Sequence, residues 1–333
     1  MADGTDTASR SWKPDESIRY PEVFVWPPKP AGIARWLFGV PGFLLPWTAL
    51  YIGLAATLWF AVTPSTGDMA HFSPGWVLIL VGRNLLLAIA WFGMLHYVLY
   101  VRQAQGMRAK YDRRWPAARS RRFTFGSQLR DNVFWTLCSG VPIWTAYEVV
   151  TMWMFANGHL KWLQWSSNPV RFVGMILLIP IFREVHFYAV HRLIHHPGLY
   201  RHVHSLHHRN TSPIPWSGLS MHPLEHVAYF SGVLIHWVVP SHPFHAMFHL
   251  MHAGISPALG HTGFDRIEIG SHEVPTSYYA HYLHHTLFEV NYADGVIPLD
   301  KWFGSFHDGT PEADERTKAR RLARRSTIAV TAD

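Results

Sequence analysis

The sequence predicts an all-α fold, in which a multi-span transmembrane helical bundle carries a cytoplasmic, helical, histidine-rich metal-binding cap. Two observations predict it. Long apolar runs fill much of the first 190 residues, and only 15% of all residues are charged. Of the 24 histidines, 20 lie between His186 and His285. Because imidazole is the commonest metal ligand in proteins, this density indicates a metal centre.

Four apolar runs are long enough to cross the hydrocarbon core of a bilayer. They are Phe43–Thr63, Trp76–Val101, Val133–Ala156 and Phe172–Val190. The second half of the last run carries Arg183 and Glu184, so we expect it to leave the bilayer or to face the protein interior. The segment 224–260 holds two further apolar stretches. Its pattern leaves open whether it spans, re-enters or lies on the membrane.

The charges indicate an orientation. The connection between the second and third runs holds nine Lys and Arg residues from Arg102 to Arg130, against one acid, Asp112. By the positive-inside rule this connection is cytoplasmic, and the next two spans return the chain to the same side at His191. We therefore divide the chain into a cytoplasmic lead-in (1–32), transmembrane helices with a basic cytoplasmic loop at 102–132 (33–180), a catalytic region (181–306) and a polar basic tail (307–333).

The composition excludes some classes of function. The formal net charge of +7 is concentrated beside the apolar runs and near the C-terminal end. That pattern is typical of a membrane face and not of a nucleic-acid-binding module. Cys138 is the only cysteine, so the chain forms neither an internal disulfide nor a cysteine-based zinc or iron–sulfur site. Any metal must therefore be held by histidine.

Three short motifs, the histidine boxes, repeat one spacing. They read HRLIH at 191–195, HSLHH at 204–208 and HYLHH at 281–285. In a helix, residues three and four apart share a face, so we expect each box to aim its imidazoles at one common point. The eight box histidines exceed the needs of one tetrahedral zinc ion and suit two metal ions. A histidine outside the boxes is more often structural than a ligand.

The boxes and their surroundings resemble the fatty acid hydroxylase/sterol desaturase superfamily of integral membrane di-iron oxidoreductases. The run HRLIHHPGLYRHVHSLHH, from His191 to His208, is similar to the family's first two boxes with their short connector. HPLE at 222–225 and the isolated His261 in GHTGF match further elements of the family. NYADGVIPLDKWFGS, after the third box, is similar to the family's ending. The resemblance covers residues 182–306.

The resemblance implies nine metal ligands. They are His191, His195, His204, His207, His208, His261, His281, His284 and His285. It also implies a set of residues behind the ligands, namely Glu184, Glu225 and His222. We expect the two carboxylates of this set to orient imidazole N–H groups.

The resemblance further implies a membrane-bound non-haem di-iron oxygenase that hydroxylates an unactivated C–H bond of a fatty acyl, sterol or related lipid. Such an enzyme uses two iron ions, O2 as co-substrate and two electrons. No flavin, nicotinamide or ferredoxin motif occurs in the chain, so the donor is expected to be external and cytochrome b5-, ferredoxin- or rubredoxin-like. Desaturation of a lipid or sterol by the same chemistry is the alternative.

Two alternatives belong to other classes of protein, a zinc-dependent intramembrane hydrolase and a metal transporter. The sequence contains no HExxH motif, the usual pattern of a helical zinc protease site. Its histidines lie mostly after the last predicted span rather than along the spans, which is not the expected placement for a transporter.

Overall fold

The computed structural model describes residues 12–20, 22–116 and 118–331. Parts of the predicted lead-in (1–11 and 21), residue 117 of the basic loop, and the last two residues of the tail lie outside the described residues. The described chain is mostly helical, as predicted, with one small antiparallel sheet. That sheet is a departure from the all-α prediction.

Fourteen α-helices occur in the described residues. They are α1 (Pro30–Phe38), α2 (Trp47–Ala61), α3 (Pro74–His96), α4 (Gln128–Trp135), α5 (Val141–Ala156), α6 (Pro169–Ile194), α7 (Pro197–Leu199), α8 (Pro223–Phe230), α9 (Ile235–Val238), α10 (Pro243–Ile255), α11 (Pro257–Gly260), α12 (Tyr279–Leu287), α13 (Leu299–Trp302) and α14 (Pro311–Thr331). Three π-helical turns extend or join them, at Tyr97–Val101, Thr136–Gly140 and Tyr200–His204. Short 3-10 turns lie at Glu22–Phe24, Asp68–Ala70, His207–Arg209, Pro215–Leu219 and Ser231–Leu234.

Two helices of the described chain are long and apolar enough to cross a membrane. They are Pro74–Val101, with a mean hydropathy of 1.9, and Pro169–Ile194, with a mean hydropathy of 1.6. The other two predicted spans are also helical. The first is the shorter apolar helix Trp47–Ala61, and the third is the continuous run of α4, a π turn and α5. That run is less apolar because it includes Arg130, Asp131 and Glu148.

A buried ion pair joins α3 to α5. Arg83 pairs with Glu148, and the second carboxylate oxygen of Glu148 accepts a hydrogen bond from Asn84 Nδ2 at 2.9 Å. Asn84 also donates to the hydroxyl of Thr145 at 3.1 Å. All four side chains are buried. In an apolar bundle, each charge is tolerated because its partner is held in place by these bonds.

Helix α10, which forms part of segment 224–260, lies at the centre of the bundle. All 13 of its residues are buried, and it packs against α2, α3, α5 and α6. This part of the segment is therefore enclosed by protein and is not a lipid-exposed span. Gly254 permits the close approach to α5, because a Cβ atom there would lie 2.7 Å from the ring of Trp144.

The two-stranded sheet ties the basic connection to the histidine-rich region. Its strands are β1 (Arg266–Ile269) and β2 (His272–Pro275), which pair antiparallel. The side-chain amide of Gln105 donates to the Arg266 carbonyl at 3.0 Å and accepts from the Glu268 N–H at 3.0 Å. Tyr111 N–H donates to the Gly263 carbonyl at 2.9 Å. These contacts fix the segment that directly follows His261.

We expect Glu148→Ala to lower the free energy of unfolding by about 3–5 kcal/mol, because Arg83 would remain buried without its counter-charge. Denaturant unfolding in detergent measures this. The matched control is Thr57→Ala, which removes an exposed hydroxyl bonded only to its own helix and should change stability by less than about 0.5 kcal/mol. Equal stability of the two variants would contradict the prediction.

Candidate metal centre

The nine predicted ligands lie together in two adjacent groups. The first, the five-histidine group, contains His191, His195, His204, His208 and His284. The second, the four-histidine group, contains His207, His261, His281 and His285. Within each group one nitrogen of every residue lies within 4.8 Å of the others. Eight of the nine side chains are buried, and His195 is partly buried.

The first box continues a single stripe along α6. Arg183, Phe187, His191 and His195 follow one another at intervals of four residues, so they share one helix face. The last of them, His195, is the C-terminal cap of α6. The apolar part of this helix thus leads directly into the five-histidine group. Asn168 starts the helix by accepting a hydrogen bond from the Arg171 N–H at 3.1 Å.

The second and third boxes do not aim at single points, and that expectation was wrong. The second box lies on a π turn followed by a 3-10 turn, while the third lies on α12. In each HH pair the neighbours separate: His207 joins the four-histidine group and His208 the five-histidine group. His285 and His284 divide in the same way. Consecutive residues on a helical turn point about 100° apart, which accounts for the division.

Backbone carbonyls fix the orientation of several imidazoles through Nδ1. His191 donates to the Tyr292 carbonyl at 2.7 Å, and His284 to the Val290 carbonyl at 2.7 Å. In the other group, His261 donates to the Pro257 carbonyl at 2.8 Å and His207 to the Ser220 carbonyl at 3.3 Å. A carbonyl only accepts, so in these residues the proton is on Nδ1 and Nε2 carries a lone pair.

In these orientations the lone pairs of the Nε2 atoms face one another, an arrangement that suits a bound cation. His207 Nε2 and His261 Nε2 lie 3.3 Å apart, although both rings carry their proton on the opposite nitrogen. No hydrogen joins them, so the contact is repulsive unless a positive charge lies nearby. Two nitrogens bound at about 2.1 Å to one ion lie about 3.0 Å apart when the angle between them is near 90°. The Nε2 contacts in both groups are 3.0–3.3 Å, which fits this requirement.

Burial keeps these imidazoles neutral, as metal ligands must be. It lowers the pKa of His261 to about 4. It also lowers the pKa of His207, His208 and His285 well below the usual value for histidine, and the neighbouring imidazoles lower it further. At neutral pH the set therefore presents lone pairs rather than positive charges.

Of the three residues expected behind the ligands, only Glu225 contacts an imidazole. Its Oε1 lies 2.7 Å from His204 Nδ1, as predicted. Glu184 accepts hydrogen bonds from the N–H groups of Gly295, Val296 and Ile297 at 2.9–3.0 Å, so its predicted contact with an imidazole is wrong. His222 instead caps α8, where its Nδ1 accepts from the Leu224 N–H. Burial raises the pKa of Glu225 well above its usual value.

The loop after the third box supports the ligands, a role that side-chain motifs did not reveal. Asp300 accepts from the N–H groups of Tyr292 and Ala293 at 2.9 and 2.8 Å. Glu184 holds the next part of the same loop, and the Tyr292 carbonyl binds His191. The side-chain amide of Asn291 donates to the carbonyls of His307 and Ala280 and accepts from the His307 N–H, so it joins this loop to α12 and to the segment that follows the loop. Asp300 thus fixes the part of the loop whose carbonyl contacts His191, and Glu184 fixes the part that follows.

A narrow cavity opens onto both groups. His191 and His204 of the five-histidine group line it, together with His207, His261 and His281 of the four-histidine group. The volume open to a water molecule is about 20 Å³. A reactant in this cavity would therefore contact ligands of both groups at once.

The wall of the cavity away from the histidines is polar at one place. Arg183 pairs with Asp294 and donates to the hydroxyl of Tyr229 at 3.1 Å. Its Nε is buried and has no partner among the described residues. The sequence showed Arg183 only as a charge inside an apolar run, and the pairing with Asp294 depends on a fold that brings residues 111 positions apart together.

Comparison with known proteins bears on the family to which this region belongs. Residues 176–305 match the fatty acid hydroxylase family, and this range contains all nine histidines. This region belongs to the fatty acid hydroxylase/sterol desaturase superfamily. The resemblance based on the histidine boxes is thereby confirmed. No solved structure matches the chain.

Several curated relatives share the hydroxylase-family region. The Delta(7)-sterol 5(6)-desaturase ERG3B of Gibberella zeae is 30% identical over 156 residues, which cover 46% of this chain and 48% of the relative. The fatty acid hydroxylase ahd1 of Mycosarcoma maydis is 29% identical over 46% of this chain and 41% of its own. Methylsterol monooxygenase 1 of Gallus gallus is 29% identical over 43% of this chain and 50% of its own. The chain thus spans about half the length of the relatives it matches.

We expect Glu225→Ala to lower metal affinity about 10–100-fold, because His204 would lose the acceptor that orients its ring. Metal content after dialysis against a graded series of chelator concentrations measures this. Glu315→Ala, on the exposed surface of α14, is the matched loss of one carboxylate and should leave metal content unchanged. If both variants retained metal equally, Glu225 would have no part in orienting a ligand.

Proposed function

We propose that the protein is a membrane-bound non-haem di-iron oxygenase that hydroxylates an unactivated C–H bond of a fatty acyl, sterol or related lipid. One observation carries the proposal: nine histidines form a group of five and a group of four that line a common cavity. When bound, two iron ions would supply the activation of O2 and the removal of hydrogen from the C–H bond. External electrons are required because the sequence carries no redox-cofactor motif.

The chain would hold the two ions, orient the imidazoles that bind them and enclose the cavity. Nε2 atoms would bind the ions, and the Nδ1–H groups of His191, His261 and His284 are held by carbonyls. Neutral ligands leave the positive charge of the ions uncompensated, which favours a strongly oxidising centre. Phe187, 4.8 Å from the His191 ring, and the narrowness of the cavity restrict the access of water.

Desaturation by the same chemistry is the second candidate. The names of the relatives include a sterol desaturase, a fatty acid hydroxylase and a methylsterol monooxygenase, so similarity supports both outcomes. We favour hydroxylation because most of these names describe the insertion of oxygen. The substrate in either case is a lipid or sterol.

We also propose that the histidine groups lie on the cytoplasmic side of a multi-pass membrane protein. The ends of α3 and α6, both apolar enough to span, adjoin the arginine-rich connection and the histidines respectively. An external donor of the cytochrome b5, ferredoxin or rubredoxin type would dock on this basic face. Arg113 and Arg114 are exposed there.

Growth of a host with and without this gene under labelled O2 tests the activity. We expect a lipid that retains one labelled oxygen atom, because hydroxylation inserts oxygen from O2; a lipid lacking two hydrogens would indicate desaturation. Mass spectrometry of the total lipid distinguishes them. His204→Ala should abolish the new lipid and lower bound iron, while His202→Ala, exposed and two residues earlier, should not. Unchanged iron and unchanged lipids in His204→Ala would end the proposal.

The orientation is tested separately by cysteine labelling, since Cys138 is the only native cysteine. In a Cys138→Ser background, we expect Arg113→Cys to react with an impermeant maleimide only from the cytoplasmic side of sealed vesicles. Ser166→Cys, in the exposed connection between α5 and α6, should react only from the other side, because α5 separates the two positions. Labelling of both from one side would contradict the topology.

A further inference from the structure

A basic pocket lies in the connection between α3 and α4, apart from the histidine groups. Arg119, Arg121 and Arg130 line it together with Ser120 and Ser127, and its volume is about 420 Å³. That volume is within the range of small-molecule sites. We propose that this pocket binds the phosphate head group of an anionic phospholipid whose acyl chains lie along α4 and α5. The proposal does not depend on the proposed enzymatic function.

The three arginines carry charge that the protein does not compensate. The only carboxylate between Arg102 and Arg130 is that of Asp112, which forms an ion pair with Arg114 at 2.7 Å. Asp131, the next carboxylate, is buried and accepts a hydrogen bond from the Phe125 N–H. No ion pair joins Arg119, Arg121 or Arg130 to a described residue. A phosphate would supply the missing negative charge, and arginine binds its oxygens in pairs.

The pocket is a shaped loop rather than a loose run of charge. Ser120 N–H donates to the Gly126 carbonyl at 2.8 Å, and Gly126 N–H donates to the Phe123 carbonyl at 3.0 Å. Gly126 closes the loop with a φ of +69°, a conformation that other residues rarely adopt. The loop is fixed to the region after the second box, because Arg209 Nη1 donates to Thr124 Oγ1 at 3.1 Å.

The helix that leaves the pocket favours a lipid over a protein or a free anion. Every fourth residue from Arg130 to Val150 is exposed, and the members of this series that follow Arg130 are apolar or small. These are Arg130, Phe134, Cys138, Pro142, Ala146 and Val150. Twenty residues of helix rise about 30 Å, the thickness of a hydrocarbon core. The stripe therefore matches a phospholipid in length and polarity, because its charged end lies at the pocket and its apolar length continues along the helix.

Phe125 marks the boundary between the two parts. It lines the pocket, is 42% exposed, and its ring lies 4.6 Å from the ring of Phe134, the next residue of the stripe. Phenylalanine rings carry no polar atom and favour the hydrocarbon of a bilayer. The pair thus places an apolar surface directly beside the arginines, as the junction of a head group and its acyl chains requires.

Native mass spectrometry of the full-length protein in neutral detergent tests the proposal. The probes are phosphatidylglycerol and phosphatidylcholine with identical acyl chains, added at equal concentrations. We expect the wild type to retain phosphatidylglycerol at least about tenfold better, since each arginine near a membrane surface contributes about a fivefold preference for anionic lipid. Arg119→Gln/Arg121→Gln/Arg130→Gln should lose this preference.

The matched control removes the same charge outside the pocket. Arg102→Gln/Arg113→Gln/Arg201→Gln, at three exposed positions, should retain phosphatidylglycerol as the wild type does. Should the triple pocket variant fail to fold, Arg130→Gln alone is expected to weaken retention about fivefold. Equal retention of both lipids by the wild type, or equal losses in pocket and control variants, would overturn the proposal.

Two further arms separate the competing occupants. Displacement of the lipid by inorganic phosphate at the lipid's own concentration would identify a free-anion site and overturn the lipid assignment. If the triple pocket variant lost binding to a purified acidic electron-transfer protein but still retained phosphatidylglycerol, the pocket would be a docking surface for the donor. That result would also overturn the lipid assignment. Retention that resists phosphate and depends on the three arginines supports the proposal.

Discussion

The orientation of the site depends on the pairing of imidazole Nδ1 donors with fixed acceptors. Nine imidazoles lie together, and five of them are held with the Nε2 lone pair inward by such an acceptor, whereas Nδ1 of His208, His281 and His285 has no partner among the described residues. Carbonyls of Tyr292, Val290, Pro257 and Ser220 do this for four rings, and Glu225 faces a fifth. Those acceptors come from four separate segments of chain. Much of the fold around the histidines therefore consists of elements that present one acceptor each at the correct position.

The membrane part and the site are joined through α6. One face of this helix carries Arg183, Phe187, His191 and His195, so a single element reaches from the apolar bundle to the metal ligands. Glu184, on the adjacent face, binds the loop whose carbonyl orients His191. Movement of α6 within the bundle would move the ligand and its orienting loop together. The geometry of the site is thus coupled to helix packing within the apolar core.

The sequence predicted the parts of this structure that depend on local spacing. The helical runs and the clustering of the eight box histidines follow from residue types at short intervals, whereas His261 and the contact of Glu225 with an imidazole followed from the resemblance to the family. The division of His207 from His208 was not predicted. Consecutive residues on a helical turn point about 100° apart, but the spacing alone does not show that a separate group of ligands lies on each side of the turn. Glu184 was misassigned because a buried carboxylate near ligands can accept from backbone N–H groups as readily as from imidazole.

The sequence did not predict the long-range pairs, because they depend on the tertiary fold. Arg183 and Asp294 are separated by 111 positions, and nothing in the local pattern links them. The β hairpin was missed because its two strands have only four residues each and lie beside a helix-rich region. Segment 224–260 has an apolar pattern that fits lipid and protein surroundings equally. Only the packing of α10 against four other helices distinguishes the two.

The division of the two HH pairs has a consequence for the distance between the metal positions. In both pairs, neighbouring residues belong to different groups, so the groups are linked twice by a single peptide unit. Adjacent Cα atoms are about 3.8 Å apart regardless of how helices pack. The two histidine groups are therefore kept side by side by covalent geometry as well as by the fit between helices. A change in helix packing cannot move one group far from the other while both HH pairs remain in place.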